Sequence, residues 1–241
     1  MTLLRDDPSL EQSIEHLEQL YDYFRAAEKP SSEFRVGTEH EKFALYADSY
    51  QPVPYTGKRG LGALFAELRA RHGFEALFEG EDIVGLIRDG TSISLEPGGQ
   101  LELSGAPVLT LHDTCREFRE HVALMKQASE NLGIVWVGLG TQPLATVDSI
   151  ARMPRERHAH MRAHLASRGS LGLSMMYATC GVQANFDFCS EEDAGRKLRV
   201  ANVISPIVTA LYSNSSISLG KPNGFESWRA DVQVAYSQKS N

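Results

Sequence analysis

The segment from Ser92 to Ser104 limits the possible folds of this chain most strongly, because its pattern is that of a β-hairpin with a defined register. Polar and apolar residues alternate on both sides of a Pro-Gly-Gly sequence, which favours a tight turn. The alternation predicts that Glu96 lies opposite Gln100 and that Ser94 lies opposite Glu102. The two glutamates should therefore share one face of a sheet, while the leucines and the isoleucine of the hairpin occupy the other.

A second acidic strand is predicted over residues 34–43. Glu39 and Glu41 are two residues apart there, so both side chains point to the same face of the strand. Carboxylates crowded on a common surface repel one another unless a cation lies among them, and Mg²⁺ prefers oxygen ligands of this kind. Alternatively, these two residues, Glu96 and Glu102 are simply solvated, since one face of an antiparallel sheet commonly meets water. The spacing alone leaves both interpretations open.

The composition is that of a folded chain with an acidic surface. The 241 residues are 42% hydrophobic and 23% charged, which is enough for one substantial core or two small ones. A net charge of -7 argues against nucleic acid as a partner, because phosphate backbones attract clustered lysine and arginine. Small anionic substrates fit better. One basic cluster is suited to them: Arg152, Arg155, Arg157 and Arg162, with His158, His160 and His164 among them.

The sequence shows no membrane-spanning or secretory pattern. Its longest strongly apolar run, residues 134–139, is too short to cross a bilayer, and the N-terminal residues lack the pattern of a signal peptide. Cys115, Cys180 and Cys189 match no metal-ligand spacing, which favours buried, reduced thiols. We therefore expect a cytoplasmic protein that does not contact a membrane.

Apolar periodicity and turn residues divide the rest of the chain into elements. Amphipathic helices are predicted after Asp7-Pro8, after Gly60, from about Thr110 to a C-cap at Gly133, and after the capping pair Ser190 and Asp193. A short helix is predicted after Met153-Pro154, a loop over residues 169–172, and further strands over residues 134–139 and 179–188.

These elements predict an α+β fold. Each predicted amphipathic strand has one apolar and one polar face, and the helices carry single apolar stripes, so we expect an antiparallel sheet with helices packed on its apolar side and the polar side open as a floor. No repeat, low-complexity tract or interdomain linker interrupts the sequence. Residues 1–241 are therefore predicted to form a single domain.

Several ordered motifs resemble those of a known enzyme family. They are Val-Gly-Thr-Glu-His-Glu-Lys-Phe (36–43), Ser-Ile-Ser-Leu-Glu-Pro-Gly-Gly-Gln-Leu-Glu-Leu-Ser-Gly-Ala-Pro (92–107), Met-Pro-Arg-Glu-Arg-His-Ala-His-Met-Arg (153–162), Gly-Ser-Leu-Gly-Leu-Ser-Met-Met (169–176), Thr-Cys-Gly-Val-Gln-Ala-Asn-Phe-Asp (179–187) and Gly-Lys-Pro-Asn-Gly-Phe (220–225). Together they resemble glutamate–cysteine ligase of the plant and proteobacterial type, from about residue 34 to Arg229.

The resemblance implies both a fold and a reaction. The fold would be similar to the catalytic fold of glutamine synthetase, in which a curved antiparallel sheet holds Mg²⁺ ions, ATP and glutamate on its concave face. The implied reaction joins the γ-carboxylate of L-glutamate to the amine of L-cysteine through a γ-glutamyl phosphate, which is the first step of glutathione biosynthesis. The implied partners are therefore small molecules: glutamate, cysteine and ATP.

The resemblance also implies roles for individual residues. Glu39, Glu41, Glu96 and Glu102 would be the metal-holding carboxylates, Gln183 and Asn185 polar neighbours of nucleotide or metal, and Arg157 and Arg229 the residues that grip glutamate. Each assignment has an ordinary alternative. Arg157 could lie on a solvated basic helix face, the two amides could reflect ordinary sheet polarity, and Arg229 could form a surface ion pair.

The family pattern continues further than this chain. After Arg229 the sequence departs from the family's usual Ile-Trp and Asp-Pro pattern, so the chain is expected to correspond to the N-terminal portion of a longer catalytic domain. An incomplete sheet would expose apolar surface, which favours a homodimer or a complementing C-terminal half. A ligase that uses another amine acceptor and a truncated, noncatalytic binding partner stay open as alternatives.

Overall fold

A mostly antiparallel sheet forms the centre of the computed structural model, which describes residues 13–167 and 171–238. The strands are β1 (Val36–Tyr46), β2 (Glu75–Glu79), β3 (Asp82–Arg88), β4 (Thr91–Leu95), β5 (Leu101–Ser104), β6 (Ile134–Val137) and β7 (Val182–Phe186), with a separate short pair β8 (Ile217–Ser218) and β9 (Lys221–Pro222). The main order is β2-β3-β4-β5-β1-β6, and β7 also pairs with β1. Every ladder between these strands is antiparallel.

Helices connect and partly cover this sheet, which confirms the α+β class. They are α1 (Leu17–Ala26), α2 (Leu61–Arg71), α3 (Leu111–Ser129), α4 (Glu156–Ser167), α5 (Gly172–Tyr177), α6 (Glu191–Leu211) and α7 (Trp228–Gln238). The main core lies where α2 and α3 meet the apolar side of the sheet, and fully buried residues such as Phe65, Leu95 and Leu101 contribute to it. Among the described helices, none combines the length and apolar character needed to cross a bilayer.

Strand β1 organises the sheet because it pairs on both sides. Residues 39–42 pair with β5, residues 36–40 pair with β7 on the opposite side, and residues 43–46 pair with β6. The middle of β1 therefore lies inside the sheet, with neighbours from distant parts of the sequence. Glu39 and Glu41 belong to this middle portion.

The predicted hairpin is confirmed in its register. The Glu96 amide donates to the Gln100 carbonyl at 2.9 Å, and Ser94 pairs with Glu102 across β4 and β5. Gly99 has a φ of +80°, in the left-handed region that glycine enters without the steric cost of a Cβ. The Pro-Gly-Gly sequence thus fixes which residues face each other, as its turn chemistry predicts.

Several sequence predictions of elements are wrong in extent. Strands β2 and β3 were not expected, and α5 begins at Gly172, inside the segment expected to be a loop. The first described helix begins at Leu17, and Asp7-Pro8 lies outside the described residues. Cys180 is buried, as expected, whereas Cys115 and Cys189 are exposed thiols, because they lie on the outer side of α3 and in the turn before α6.

The apolar side of the sheet is covered only in part, which corrects the expected packing around β7. Val182 and Phe186 are 73% and 65% exposed, although they lie on the face of β7 opposite the polar floor. Helix α6 does not cover them, and of its residues only Asp193 is buried. In the described chain, strand β7 and helix α6 therefore both carry exposed apolar side chains.

Candidate functional site

Four glutamates form one acidic wall on the polar side of the sheet, defined here as Glu39, Glu41, Glu96 and Glu102. Glu41 lies directly opposite Glu102 across β1 and β5, and such cross-strand side chains share a face about 5 Å apart. Glu96 is close enough to Glu102 for a hydrogen bond between the two carboxyl groups. Glu102 is only 3% exposed, so the wall is partly removed from water rather than fully solvated.

Hydrogen bonds from neighbouring strands orient the carboxylates. The Gly181 amide donates to Oε2 of Glu41 at 2.6 Å, and the Ser104 hydroxyl donates to Oε1 of Glu102 at 2.8 Å. A Cβ on Gly181 would lie 2.9 Å from Nη2 of Arg229, so a larger residue at this position would require the Arg229 side chain to shift. No local sequence pattern predicts this contact of Gly181 with Glu41, because it depends on the pairing of β7 with β1.

Burial and mutual repulsion raise the proton affinity of the wall. Burial, with a further contribution from the neighbouring Glu102 and Glu41 carboxylates, raises the pKa of Glu96 to about 7. Burial likewise raises the pKa of Glu41 to about 7, against the opposing effect of the Gly181 hydrogen bond. Each shift means that ionising the glutamate costs free energy in the folded protein when no cation is bound.

The two arginines assigned by resemblance approach opposite parts of the wall. Arg157, on the first turn of α4, places Nη2 3.7 Å from Oε1 of Glu96. Arg229, at the start of α7, donates its amide to the Ser215 hydroxyl at 3.0 Å, and its charge lowers the pKa of Glu41. The Arg229 Nε atom is buried and finds no hydrogen-bond partner among the described residues.

The two amide residues of β7 lie at the outer end of the wall. Gln183 pairs with Glu39 across β1 and β7, and Nδ2 of Asn185 donates to Oε1 of Glu39 at 3.1 Å. Glu39 and Asn185 also line a cavity of about 610 Å³ at the beginning of β1, which Lys29 and Arg35 border with their positive charges. The structure thus brings both amides to the wall, although each is exposed.

The donors of the wall match the chemistry of a hard divalent cation. They are carboxylate oxygens that are partly buried and repel one another, which an ion such as Mg²⁺ would relieve. Within residues 13–167 and 171–238, however, no three acidic, histidine or cysteine side chains are already arranged around a single ion position. The wall therefore has suitable donors but not a closed coordination sphere.

The structure also shows where the side chains of His40 and Gln100 lie. His40 lies against the Phe118 ring of α3, with a centroid distance of 4.7 Å, so its side chain is on the face of β1 opposite Glu39 and Glu41. Gln100 is buried and holds the hairpin to the segment before β7, because Nε2 donates to the Thr179 carbonyl at 2.8 Å and Oε1 accepts from the Gly98 amide at 2.8 Å. Gln100 is thus a structural brace beneath the wall.

Comparison with known proteins identifies a family and several relatives. The sequence model of Glutamate-cysteine ligase family 2 (GCS2) matches residues 35–236. The chain is 43% identical over 215 residues to "Glutamate--cysteine ligase, chloroplastic" of Medicago truncatula, which covers 89% of this chain and 42% of that protein. It is also 43% identical to the protein of the same name in Arabidopsis thaliana, over 89% of this chain and 41% of that protein. It is likewise 43% identical to "Glutamate--cysteine ligase A, chloroplastic" of Oryza sativa subsp. japonica, over 89% of this chain and 43% of that protein.

The coverage and the names of these relatives qualify two expectations. The chain spans about two fifths of the length of the curated relatives it matches. The expectation of a cytoplasmic protein is contradicted, because these relatives are named as chloroplastic.

Proposed function

Because the chain belongs to Glutamate-cysteine ligase family 2, we propose that it contributes the acidic half of an active site that joins L-glutamate to L-cysteine. ATP transfers its terminal phosphoryl group to the γ-carboxylate of glutamate, and the amine of cysteine then displaces phosphate from the γ-glutamyl phosphate. The product is γ-glutamylcysteine, in the first step of glutathione biosynthesis. The names of the relatives support this activity.

The single observation that carries the proposal is the shared wall of Glu41, Glu96 and Glu102. Glu102 is buried and Glu41 and Glu96 are half-buried beside it, and the pKa values of Glu41 and Glu96 are both raised to about 7. Such an arrangement is unfavourable for folding by itself, which is typical of residues retained for chemistry. Solvated sheet polarity, the ordinary alternative, would leave carboxylates exposed and at their usual pKa.

We propose that the wall holds Mg²⁺, with Glu39, Glu41, Glu96 and Glu102 as the carboxylate ligands. When bound, the ions neutralise phosphate charge and orient the transferring group. The protein's own residues fix the carboxylates beforehand: the Gly181 amide holds Glu41 and the Ser104 hydroxyl holds Glu102. Gln183 and Asn185 are proposed to contact nucleotide or metal from β7, next to the cavity of about 610 Å³.

Arg157 and Arg229 are proposed to bind glutamate. Both guanidinium groups lie beside the wall, where their fixed charge and planar donors suit a carboxylate. The Arg229 Nε atom is buried and without a hydrogen-bond partner among the described residues, so a substrate oxygen would supply the acceptor that this donor lacks. The arginines would thereby place the γ-carboxylate near the phosphoryl donor and raise the rate by orientation.

The fold is proposed to be that of the glutamine synthetase catalytic domain, with residues 1–241 as one unit of it. The exposed apolar side chains of β7 and α6 support a further polypeptide there, either a complementing C-terminal half or a second copy. A noncatalytic partner of a complete subunit is the alternative that this exposure also favours. A ligase that uses another amine in place of L-cysteine is a second alternative.

Product formation tests the proposal directly. The 241-residue chain is incubated with ATP, Mg²⁺, L-glutamate and L-cysteine, alone and together with the unmatched C-terminal portion of the Arabidopsis relative. We expect γ-glutamylcysteine and phosphate in equal amounts in the combined sample. Other amines, supplied in place of cysteine, measure the acceptor preference.

Variants separate the wall from general effects on folding. Glu102→Gln should lower the rate by about a hundredfold or more, as expected for a lost electrostatic contribution to phosphoryl transfer. Arg157→Met should chiefly raise the KM for glutamate, whereas Glu120→Gln on the exposed side of α3 should change neither. Absence of product in every combination, with ATP bound normally, would favour the noncatalytic alternative.

A further inference from the structure

A basic groove lies beside the acidic wall, on a different face of α4 from Arg157. It has a volume of about 310 Å³ and lies between α4, the hairpin turn at Pro97 and the end of α5. Positions 158 and 162 of α4 are four residues apart and share one face of the helix, Arg155 directly precedes the helix, and Arg157 places its guanidinium toward Glu96. The groove is defined here by Arg152, Met153, Arg155, His158, Arg162 and Tyr177.

The described residues that line the groove do not neutralise its positive charge. Three guanidinium groups line it, and the described residues that line it include no acid. The nearest ion pair of Arg155 is long, with 3.8 Å between its Nε and Oε2 of Glu79. Arg162 lies over the Tyr177 ring at 5.5 Å, a contact that holds the guanidinium in place but leaves its positive charge.

Buried polar atoms in the groove lack partners. His158 is only 3% exposed, and both of its ring nitrogens find no hydrogen-bond partner among the described residues. The Arg155 Nε atom is likewise buried and has no hydrogen-bond partner among the described residues. Leaving such groups unpaired costs roughly 1–3 kcal/mol each, so a ligand that supplies acceptors would recover part of that free energy.

The donors of the groove narrow the class of anion. Burial, together with the charges of Arg157 and Arg155, lowers the pKa of His158 to about 4, so the imidazole is neutral and offers one donor nitrogen. A carboxylate has two oxygens to share among this donor and the guanidinium groups of Arg155 and Arg162. A phosphate monoester is mostly a dianion at neutral pH, because its second pKa is about 6, and its three terminal oxygens can accept from all three side chains.

The size and remaining lining of the groove indicate an organic ligand. Its volume of about 310 Å³ exceeds the room that a bare phosphate needs, since one water occupies only about 30 Å³. Met153 and Tyr177 contribute apolar surface, and Met153 is held at the turn because its amide donates to the Pro97 carbonyl at 3.3 Å. We propose that the groove binds the phosphoryl group of a small organic phosphate, with Arg155 and Arg162 as charged donors and His158 as a neutral partner.

Calorimetric titration of the 241-residue chain tests this site without divalent cations, so that a metal–nucleotide site cannot contribute. Glycerol 3-phosphate is the probe and succinate the carboxylate comparison. We expect glycerol 3-phosphate to bind more tightly than succinate. Arg162→Met should weaken it by about tenfold or more, as expected for a lost charge-assisted hydrogen bond, while Arg199→Met on the exposed part of α6 should not.

A second variant keeps the charges and removes the space. Ala163→Leu fills the groove from α4 and should weaken glycerol 3-phosphate binding, with thermal unfolding measured for each variant to exclude a loss of fold. Failure of glycerol 3-phosphate to bind, or equal weakening by Arg162→Met and Arg199→Met, would overturn the proposal. Weakening by Arg157→Met alone would also overturn it, because the phosphoryl group would then lie at the wall.

A further titration, with ATP, tests which molecule carries the phosphoryl group. If ATP displaces glycerol 3-phosphate and binds less tightly to Arg162→Met, the groove holds a phosphate of the nucleotide. If ATP binding is unchanged by Arg162→Met, the groove serves a different phosphorylated ligand. The site does not depend on the ligase reaction, so a failure of product formation and a failure of this binding are distinguishable.

Discussion

Two glutamates of the wall, Glu41 and Glu96, make the stability of the metal-free protein depend on pH. The pKa values of Glu41 and Glu96 are about 7 in the folded chain, against about 4.3 for an unfolded glutamate. Between these values the folded state binds more protons than the unfolded state, so the free energy of unfolding falls as the pH rises. We expect a loss of about 1–3 kcal/mol from roughly pH 5 to pH 8.

Urea unfolding in the presence of EDTA measures this dependence. Glu96→Gln should flatten the pH profile and stabilise the protein most at high pH, because the amide carries no charge to repel Glu102. Glu120→Gln, at an exposed position of α3, should leave the profile unchanged. Mg²⁺ added in excess of the EDTA should stabilise the unmodified chain more at high pH than at low pH, since it binds the ionised wall. Equal stabilisation at both pH values would contradict a metal site there.

Residue periodicity explains how much of the wall the sequence could predict. The faces of Glu96 and Glu102 follow from a two-residue period and the hairpin turn, both of which are local properties. The contact between the Gly181 amide and Glu41 spans 140 residues and depends on where β7 pairs with β1. No local pattern specifies that pairing, so this part of the site had to come from the structure.

At the scale of elements, the β4–β5 hairpin depends on the absence of a side chain at Gly98. A Cβ there would collide with the Tyr177 carbonyl and approach Oε1 of Gln100, the atom that accepts the Gly98 amide. Gly98→Ala should therefore destabilise the protein by about 1–3 kcal/mol, as in other overpacked sites, and loosen the brace beneath the wall. Calorimetric unfolding measures the change.

A matched glycine provides the control for this substitution. Gly138 has open space around the position that a Cβ would take, so Gly138→Ala should change the melting temperature little. If both alanines destabilised the chain equally, backbone conformation rather than the contact with Tyr177 would account for the effect. Equal stability of both variants and the parent would mean that the hairpin turn can move away from α5.

The elements that the sequence missed differ in pattern from those it predicted. Strand β3 has a nearly continuous apolar run, buried over residues 83–86, which lacks the alternation that marks a half-exposed strand. The alternation of β7 was recognised correctly, but pattern predicts only that one face is apolar. Whether that face is covered depends on what packs against it, and in the described chain Val182 and Phe186 stay exposed.

At the scale of the whole molecule, the exposed apolar faces predict association. Residues along α6, among them Val203 and Ile207, are 75% and 60% exposed, and they follow the four-residue spacing of a single helical face. Contiguous apolar surface of this kind is rare on monomers and marks interfaces or aggregation. We therefore expect the isolated 241-residue chain to self-associate in a concentration-dependent manner.

Sedimentation velocity across a concentration series measures this association. The double substitution Val203→Glu and Ile207→Glu places two charges on the apolar face and should shift the chain toward the monomer, whereas Leu111→Glu, at an exposed but separate position of α3, should not. If the C-terminal portion of a relative covers the same face, adding it should disperse the assemblies of the parent chain and should bind the double variant more weakly. Persistent assemblies of the double variant would place the contact elsewhere, whereas a monomeric parent chain would contradict the predicted association.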